Sequence, residues 1–176
     1  MVPILSIVGR SDSGKTTLIE KLIPILKRRG YRIGTIKHDV HGFEMDREGK
    51  DTYRHFHSGA DAVLISSPKK LALIQRYEQA PTLDELVERY YPDMDLVMTE
   101  GFKRLDKPKL EVYRSAAHPE PLCTDADTRI ALASDTPLQV NCPRFDINDV
   151  EAIADFIEQR FLKPAAELPN KSKTLD

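Results

Sequence analysis

The chain has 176 residues, of which 40% are hydrophobic and 31% charged, with a formal net charge of −2; this balance excludes wholesale disorder and lacks the basic surplus of a general nucleic-acid binder. No apolar run approaches the roughly 20 residues of a membrane span, and the opening Met1-Val2-Pro3-Ile4-Leu5-Ser6 lacks the basic start of a signal peptide, so a cytoplasmic location with no membrane association is expected. Cys123 and Cys142 form neither a disulfide framework nor a CxxC pair and read as reduced thiols.

Residues 3–8 are a short apolar run ending at Gly9, the pattern of a buried strand. Residues 16–29 follow with helical spacing, placing Leu18, Ile19, Leu22, Ile23 and Leu26 on one face. Pro24 inside this run predicts a local kink, and Gly30 suits the position just past the helix end. A second strand is expected over 31–37, then an irregular or hairpin-like segment over 38–50, a short helix over 50–58, and strands at 61–66 and 71–74 separated by a turn at Pro68. Thr82 with Glu85 forms a capping box opening a helix, with Leu83, Leu86, Val87 and Tyr90 toward the core. Leu96-Val97-Met98 reads as a central strand, with Leu110–Tyr113 and Ile130–Ala133 as two more. Asn148 is expected to cap the last helix, whose apolar face includes Val150, Ile153, Phe156 and Ile157. Strands alternating with helices predict an α/β fold with a mainly parallel sheet.

Gly9-Arg10-Ser11-Asp12-Ser13-Gly14-Lys15-Thr16 satisfies G-x4-G-K-[ST] in full, with an apolar strand entering and an amphipathic helix leaving. This predicts a three-layer, P-loop NTPase-like architecture with a hairpin insertion after the second strand: a single nucleotide-binding domain over 1–163 and a loose polar tail over 164–176. The loop N–H groups and the positive end of the helix would cradle phosphates. Lys15 would bridge the β- and γ-phosphates, Thr16 would offer its hydroxyl to Mg2+, and Thr17 would donate to the α-phosphate. The partner carboxylate should stand at the C-terminal end of a neighbouring strand. Glu100 meets that condition, as a magnesium ligand through water or as the group orienting an attacking water; Asp95 stands at the wrong end.

Other polar segments leave alternatives open. Lys37-His38-Asp39-Val40-His41 follows the second strand, where loops surround ligands in open parallel sheets. Its histidines lack zinc spacing, and nucleotide or second-substrate contacts compete with an ordinary polar loop. His55 and His57, two apart on a helix, read as surface residues. The stretch Lys103-Arg104-Leu105-Asp106-Lys107-Pro108-Lys109 is either a solvated loop or a contact for an anion. The N-K-x-D guanine motif is absent. Asp135, ending a late strand, is either a carboxylate that accepts from guanine N1–H and N2–H or a residue of the Asp135-Thr136-Pro137 turn.

The P-loop through Thr17 and Leu18, Thr35-Ile36-Lys37-His38-Asp39, Asp46 with Gly49-Lys50-Asp51-Thr52, Thr99-Glu100-Gly101-Phe102-Lys103, and the late Asp146-Ile147-Asn148-Asp149-Val150 occur together in this order. In these blocks the chain resembles the MobB family of molybdopterin-guanine dinucleotide biosynthesis adaptors. The resemblance implies GTP as ligand, Mg2+, weak hydrolysis, a homodimer, and a supporting role beside the nucleotidyltransferase MobA in joining GMP to molybdopterin. It carries over Gly14, Lys15 and Thr16 as phosphate and magnesium residues, and Glu100 as the second acidic residue. Lys37, His38, Asp46, Lys50 and Asp51 match family positions without an assigned role. Arg10 departs from the small or apolar residue expected there; its charge adds a phosphate contact or faces solvent.

Two other functions compete. A small-molecule kinase would use Asp39 as the base for a substrate hydroxyl, but it would need an arginine-rich lid, and 103–114, with two arginines, is the nearest segment. A purely structural protein with a vestigial site is disfavoured by the intact Gly14-Lys15-Thr16.

Overall fold

The computed structural model describes residues 1–124 and 128–162; the expected tail at 164–176 lies outside the described residues. The chain divides into two compact units, one comprising Met1–His38 and Val87 onward, the other Asp39–Leu86, with the division falling inside a helix.

In the first unit, β1 (Ile4–Val8), β2 (Ile33–Lys37), β5 (Leu96–Glu100), β6 (Lys109–Tyr113), β7 (Arg129–Ser134) and β8 (Arg144–Asp146) form one sheet in the order β2-β5-β1-β6-β7-β8. Every pairing in it is parallel, where the sequence predicted a mainly parallel sheet. A sheet of this kind is covered on both faces, so its strands read as continuous apolar runs. Leu5, Ile7, Leu96, Met98, Leu110, Val112, Ala131 and Ala133 join one core with α1 (Lys15–Arg28) and α4 (Val150–Phe161). Ile4, Val97 and Leu132 alternate with them and are buried as well.

Helix α1 forms because Leu18, Ile19, Leu22, Ile25 and Leu26 fall on one stripe and are buried, and it runs through Pro24. It ends in a Schellman motif, with Gly30 N–H donating to the Lys27 carbonyl and Tyr31 N–H to that of Leu26. Across the α1–α4 contact, the buried Tyr31 donates its hydroxyl to Glu158 at 2.6 Å, and Arg29 reaches Glu151, Asp155 and Glu158. The expected cap of α4 moves by one residue. Asp149, not Asn148, is the N-cap, and its carboxylate accepts from Ala152 N–H. Strand β8 is three residues long and carries too little pattern to be read from sequence.

The second unit holds α2 (Asp51–His57), β3 (Ala62–Ser67), β4 (Lys70–Gln75) and the first turn of α3 (Leu83–Tyr90). The hairpin of this insertion is the antiparallel β3–β4 pair; residues 38–50 contain no strand. The α3 capping box is present: Glu85 accepts from the Thr82 N–H at 2.7 Å and from the Thr82 hydroxyl at 2.9 Å. Leu83 and Val87 are buried, whereas Tyr90, expected toward the core, is exposed. No helix among the described residues is long and apolar enough to cross a membrane.

Candidate nucleotide site

The sheet order sets the place of the site. From β1 the chain goes to β2 and β5 on one side, then to β6, β7 and β8 on the other. Ligands of open α/β sheets bind at the carboxyl ends of strands where the order reverses in this way. The loop Gly9–Gly14 leaves β1 at that point.

Gly9 has φ 152°, and a Cβ there would stand 2.4 Å from the Val112 carbonyl oxygen, so only glycine lets the loop leave the sheet this close to β6. Asp12 takes a left-handed conformation at φ 60°, which Asp tolerates better than most side chains. Gly14 is the N-cap of α1 and no side chain caps it, and no acidic residue stands in the first turn. The first N–H groups of a helix have no partner within the helix, which suits them to an anion. Ser13 is buried, and its hydroxyl has no hydrogen-bond partner among the described residues, a further donor inside the loop.

Lys15 folds back across the loop and donates to the Arg10 carbonyl at 2.7 Å. Burial lowers its pKa below the ordinary lysine value, Lys37 and Lys103 act in the same direction, and Glu100 and Asp12 oppose them. Lys15 is thus the centre of a group of mixed charges with three lysines in it. Glu100 arrives because β5 pairs with β1 in the register Ile7↔Glu100, and with β2 in the register Lys37↔Glu100. Its carboxylate accepts from the Thr16 hydroxyl at 3.0 and 3.1 Å. A hydroxyl and a carboxylate held this close are hard oxygen donors of the kind Mg2+ takes, an ion that draws its remaining ligands from phosphate and water. Among the described residues, no group of three or more His, Cys, Asp or Glu side chains gathers as a protein-only metal cage would require.

The other expected residues fall in two sets. Lys37 and His38 stand at the end of β2, beside Glu100. His38 N–H donates to the Glu100 carbonyl, and its ring stacks on Phe102 at 4.5 Å. Arg10 is exposed, as are Ser11 and Thr17. Asp39, Asp46, Lys50 and Asp51 belong to the second unit. There Asp39 accepts from His41 N–H at 2.8 Å. The Thr52 hydroxyl and the Arg47 N–H hold the Asp46 carboxyl below the usual carboxylate range. Lys50 is the N-cap of α2, and Asp51 is its first residue. His55 and His57 are exposed, the latter stacked on Tyr53. In the basic stretch, Lys103 and Arg104 are exposed, but Lys109 is buried in β6.

Asp135 follows β7 on the same sheet edge as the P-loop. Its carboxylate accepts from the Ser115 N–H at 2.9 Å and from the Ser115 hydroxyl at 3.2 Å. The turn that supplies Ser115 went unnoticed in the sequence. It begins at Arg114, directly after β6, and His118 Nε2 lies 2.7 Å from the Ser11 carbonyl of the P-loop. The available signal was position alone: residues just beyond a parallel strand's C-terminal end line the crevice.

The model of the family MobB, described as molybdopterin guanine dinucleotide synthesis protein B, matches residues 4–135. The chain belongs to the MobB family. It is similar to the molybdopterin-guanine dinucleotide biosynthesis adapter protein of Escherichia coli, 39% identical over 165 residues that cover 89% of this chain and 92% of that one. It is also similar to the adapter protein of Haemophilus influenzae, 38% identical over 158 residues, covering 89% and 88%. A crystal structure of molybdopterin-guanine biosynthesis protein B superposes with TM-score 0.70 at 37% identity, covering 89% of this chain and 97% of that one. The Bacillus subtilis MobB structure superposes with TM-score 0.73 at 28% identity, covering 92% and 98%.

Proposed function

We propose that this protein is a GTP-binding adapter that supports the attachment of GMP to molybdopterin in molybdopterin guanine dinucleotide biosynthesis. The observation that carries the nucleotide half is the Thr16–Glu100 pair at 3.0 and 3.1 Å beside a complete P-loop. The family membership carries the pathway. Gly9 to Thr17 hold the phosphates, with Lys15 as the cation that leaves the Arg10 carbonyl for phosphate oxygen. Thr16 and Glu100 would hold Mg2+, which would neutralise phosphate charge there. Glu100 is also the group placed to orient a water, so slow hydrolysis is expected. Asp135 reads guanine by exchanging Ser115 for the base.

The partner is a nucleotidyltransferase of the MobA kind, and the setting is the cytoplasm. A homodimer is supported by the second unit. Phe43 and Met45, in the irregular segment before α2, are 70% and 75% exposed, and Leu71 on the two-stranded sheet is 66% exposed; a two-stranded sheet needs something to pack against. The kinase alternative finds no support in the relatives.

The test is calorimetric titration of GTP and ATP with magnesium, followed by phosphate release with and without the nucleotidyltransferase and molybdopterin. GTP should bind more tightly than ATP, Asp135→Ala should narrow that gap, and phosphate release should be slow. Rapid transfer of the γ-phosphate to a small molecule would overturn the adapter reading.

A further inference from the structure

The turn after β6 carries a cation that the site described above does not use. Arg114 is half-buried, and its guanidinium lies against the P-loop. A Cβ built on Gly14 would stand 3.5 Å from Arg114 Nη2 and 3.9 Å from Nε. Among the described residues, this guanidinium makes no ion pair and no hydrogen bond. A guanidinium presents five donors in a rigid plane and is suited to phosphate. To hold one partly buried without an acceptor is unfavourable unless something outside the chain supplies it.

The backbone around it is fixed at several points. Ala117 and His118 N–H groups donate to the Arg114 carbonyl. The Tyr113 hydroxyl donates to the His118 and Pro119 carbonyls. His118 ties the turn to Ser11 of the P-loop. A cation held in place before binding loses less freedom when it binds.

Its position in the sheet narrows what it touches. Strand β6 lies between β1, which ends in the P-loop, and β7, which ends at Asp135. The register Tyr113↔Ser134 makes Arg114 and Asp135 the next residues on adjacent strands. Glu100, Lys37 and Lys103 belong to the other side of β1, with β5 and β2. A nucleotide with its terminal phosphates in the P-loop and its base at Asp135 passes Arg114 at the phosphate nearest the ribose.

We propose that Arg114 is a nucleotide-binding residue that contacts the α-phosphate. The proposal rests on the P-loop being a nucleotide site. It makes the β6 side of the site serve what GDP and GTP have in common, and the Lys15–Glu100 side serve magnesium and the terminal phosphate.

The test is calorimetric titration of GDP and of GTP, each with magnesium, into wild type, Arg114→Ala, Arg114→Lys and Lys15→Ala, with thermal melting of each variant. Arg114→Ala should weaken GDP and GTP alike by about tenfold at an unchanged melting temperature. Arg114→Lys should recover part of that loss. Unchanged affinities in Arg114→Ala would overturn the proposal, as would a loss confined to GTP, which would place Arg114 on the γ-phosphate. If Arg114→Ala does not fold, Arg114→Lys decides: wild-type affinity with both nucleotides overturns it. Lys15→Ala separates the two levels of failure. Full binding in that variant would remove the P-loop reading itself, whereas loss there beside wild-type Arg114→Ala would remove only the role of Arg114.

Discussion

The two units of this chain treat apolar side chains in opposite ways. From Met1 to His38 and from Val87 onward, Leu5, Ile7, Leu22, Leu26, Leu96, Met98, Leu110 and Ile153 are fully buried. Between Asp39 and Leu86, the one buried large apolar residue is Leu83; α2 buries none, and Leu64, Ile65, Leu71, Phe43 and Met45 are exposed. The first unit is a parallel sheet with its own core, and it holds the P-loop, Glu100, Arg114 and Asp135. The second has a hairpin too small to bury its own faces. Ligand chemistry requires donors fixed by a packed scaffold, and assembly requires apolar surface left uncovered. On this account the two needs are met by different stretches of one chain.

The largest expected effect breaks the comparison at its core. Leu22→Ala should destabilise the protein by about 2–5 kcal/mol, since it opens a cavity between α1 and the sheet. Leu71→Ala, on the exposed hairpin, should cost less than about 0.5 kcal/mol in dilute protein; equal losses in denaturant unfolding would contradict the division. Next, Glu100→Gln should leave GTP binding without magnesium unchanged but remove most of the gain that magnesium brings, measured by titration with and without the ion. Equal magnesium dependence in both proteins would take Glu100 out of the metal site. Phe43→Asp combined with Met45→Asp should move the light-scattering mass from two chains toward one while GTP affinity stays near wild type. A wild-type monomer would contradict the role given to the second unit.

The smallest effect lies in the first unit's helix contact. Burial, then the hydrogen bond to Glu158, raises the Tyr31 hydroxyl from 10.0 to about 12. Its proton is held more tightly in the folded state, so its contribution is full below pH 10 and is lost as pH rises toward 12. Unfolding curves of wild type and Tyr31→Phe should converge across that window, and parallel curves would show that Tyr31 titrates as it does unfolded.

The sequence was legible where a pattern is local. The P-loop, the stripe of α1, the Thr82–Glu85 capping box and the apolar runs of β1, β5 and β6 each identify themselves within a few residues. The place of Glu100 was legible too, at the C-terminal end of a central strand, and β5 brings its carboxylate to the Thr16 hydroxyl. What stayed hidden depends on long-range pairing. Ser115 and Asp135 are twenty residues apart and His118 and Ser11 more than a hundred, so no periodicity connects them. Strand β8 is only three residues long, too short for its alternation to mark a strand in the sequence. Asn148 and Asp149 are both good caps, and only backbone geometry selects between them. Residues 38–50, expected to be irregular or hairpin-like, are irregular, and the hairpin is the pair of strands expected at 61–66 and 71–74.

The central claim is that the P-loop of the first unit binds GTP, and calorimetric titration of GTP with magnesium into wild type and Lys15→Ala tests it most directly. Loss of a charge-assisted hydrogen bond of about 1.5–3 kcal/mol predicts an affinity about ten- to a hundredfold weaker in the variant, with circular dichroism and melting unchanged because Lys15 contributes little packing. A folded Lys15→Ala protein that binds GTP as tightly as wild type would contradict the account.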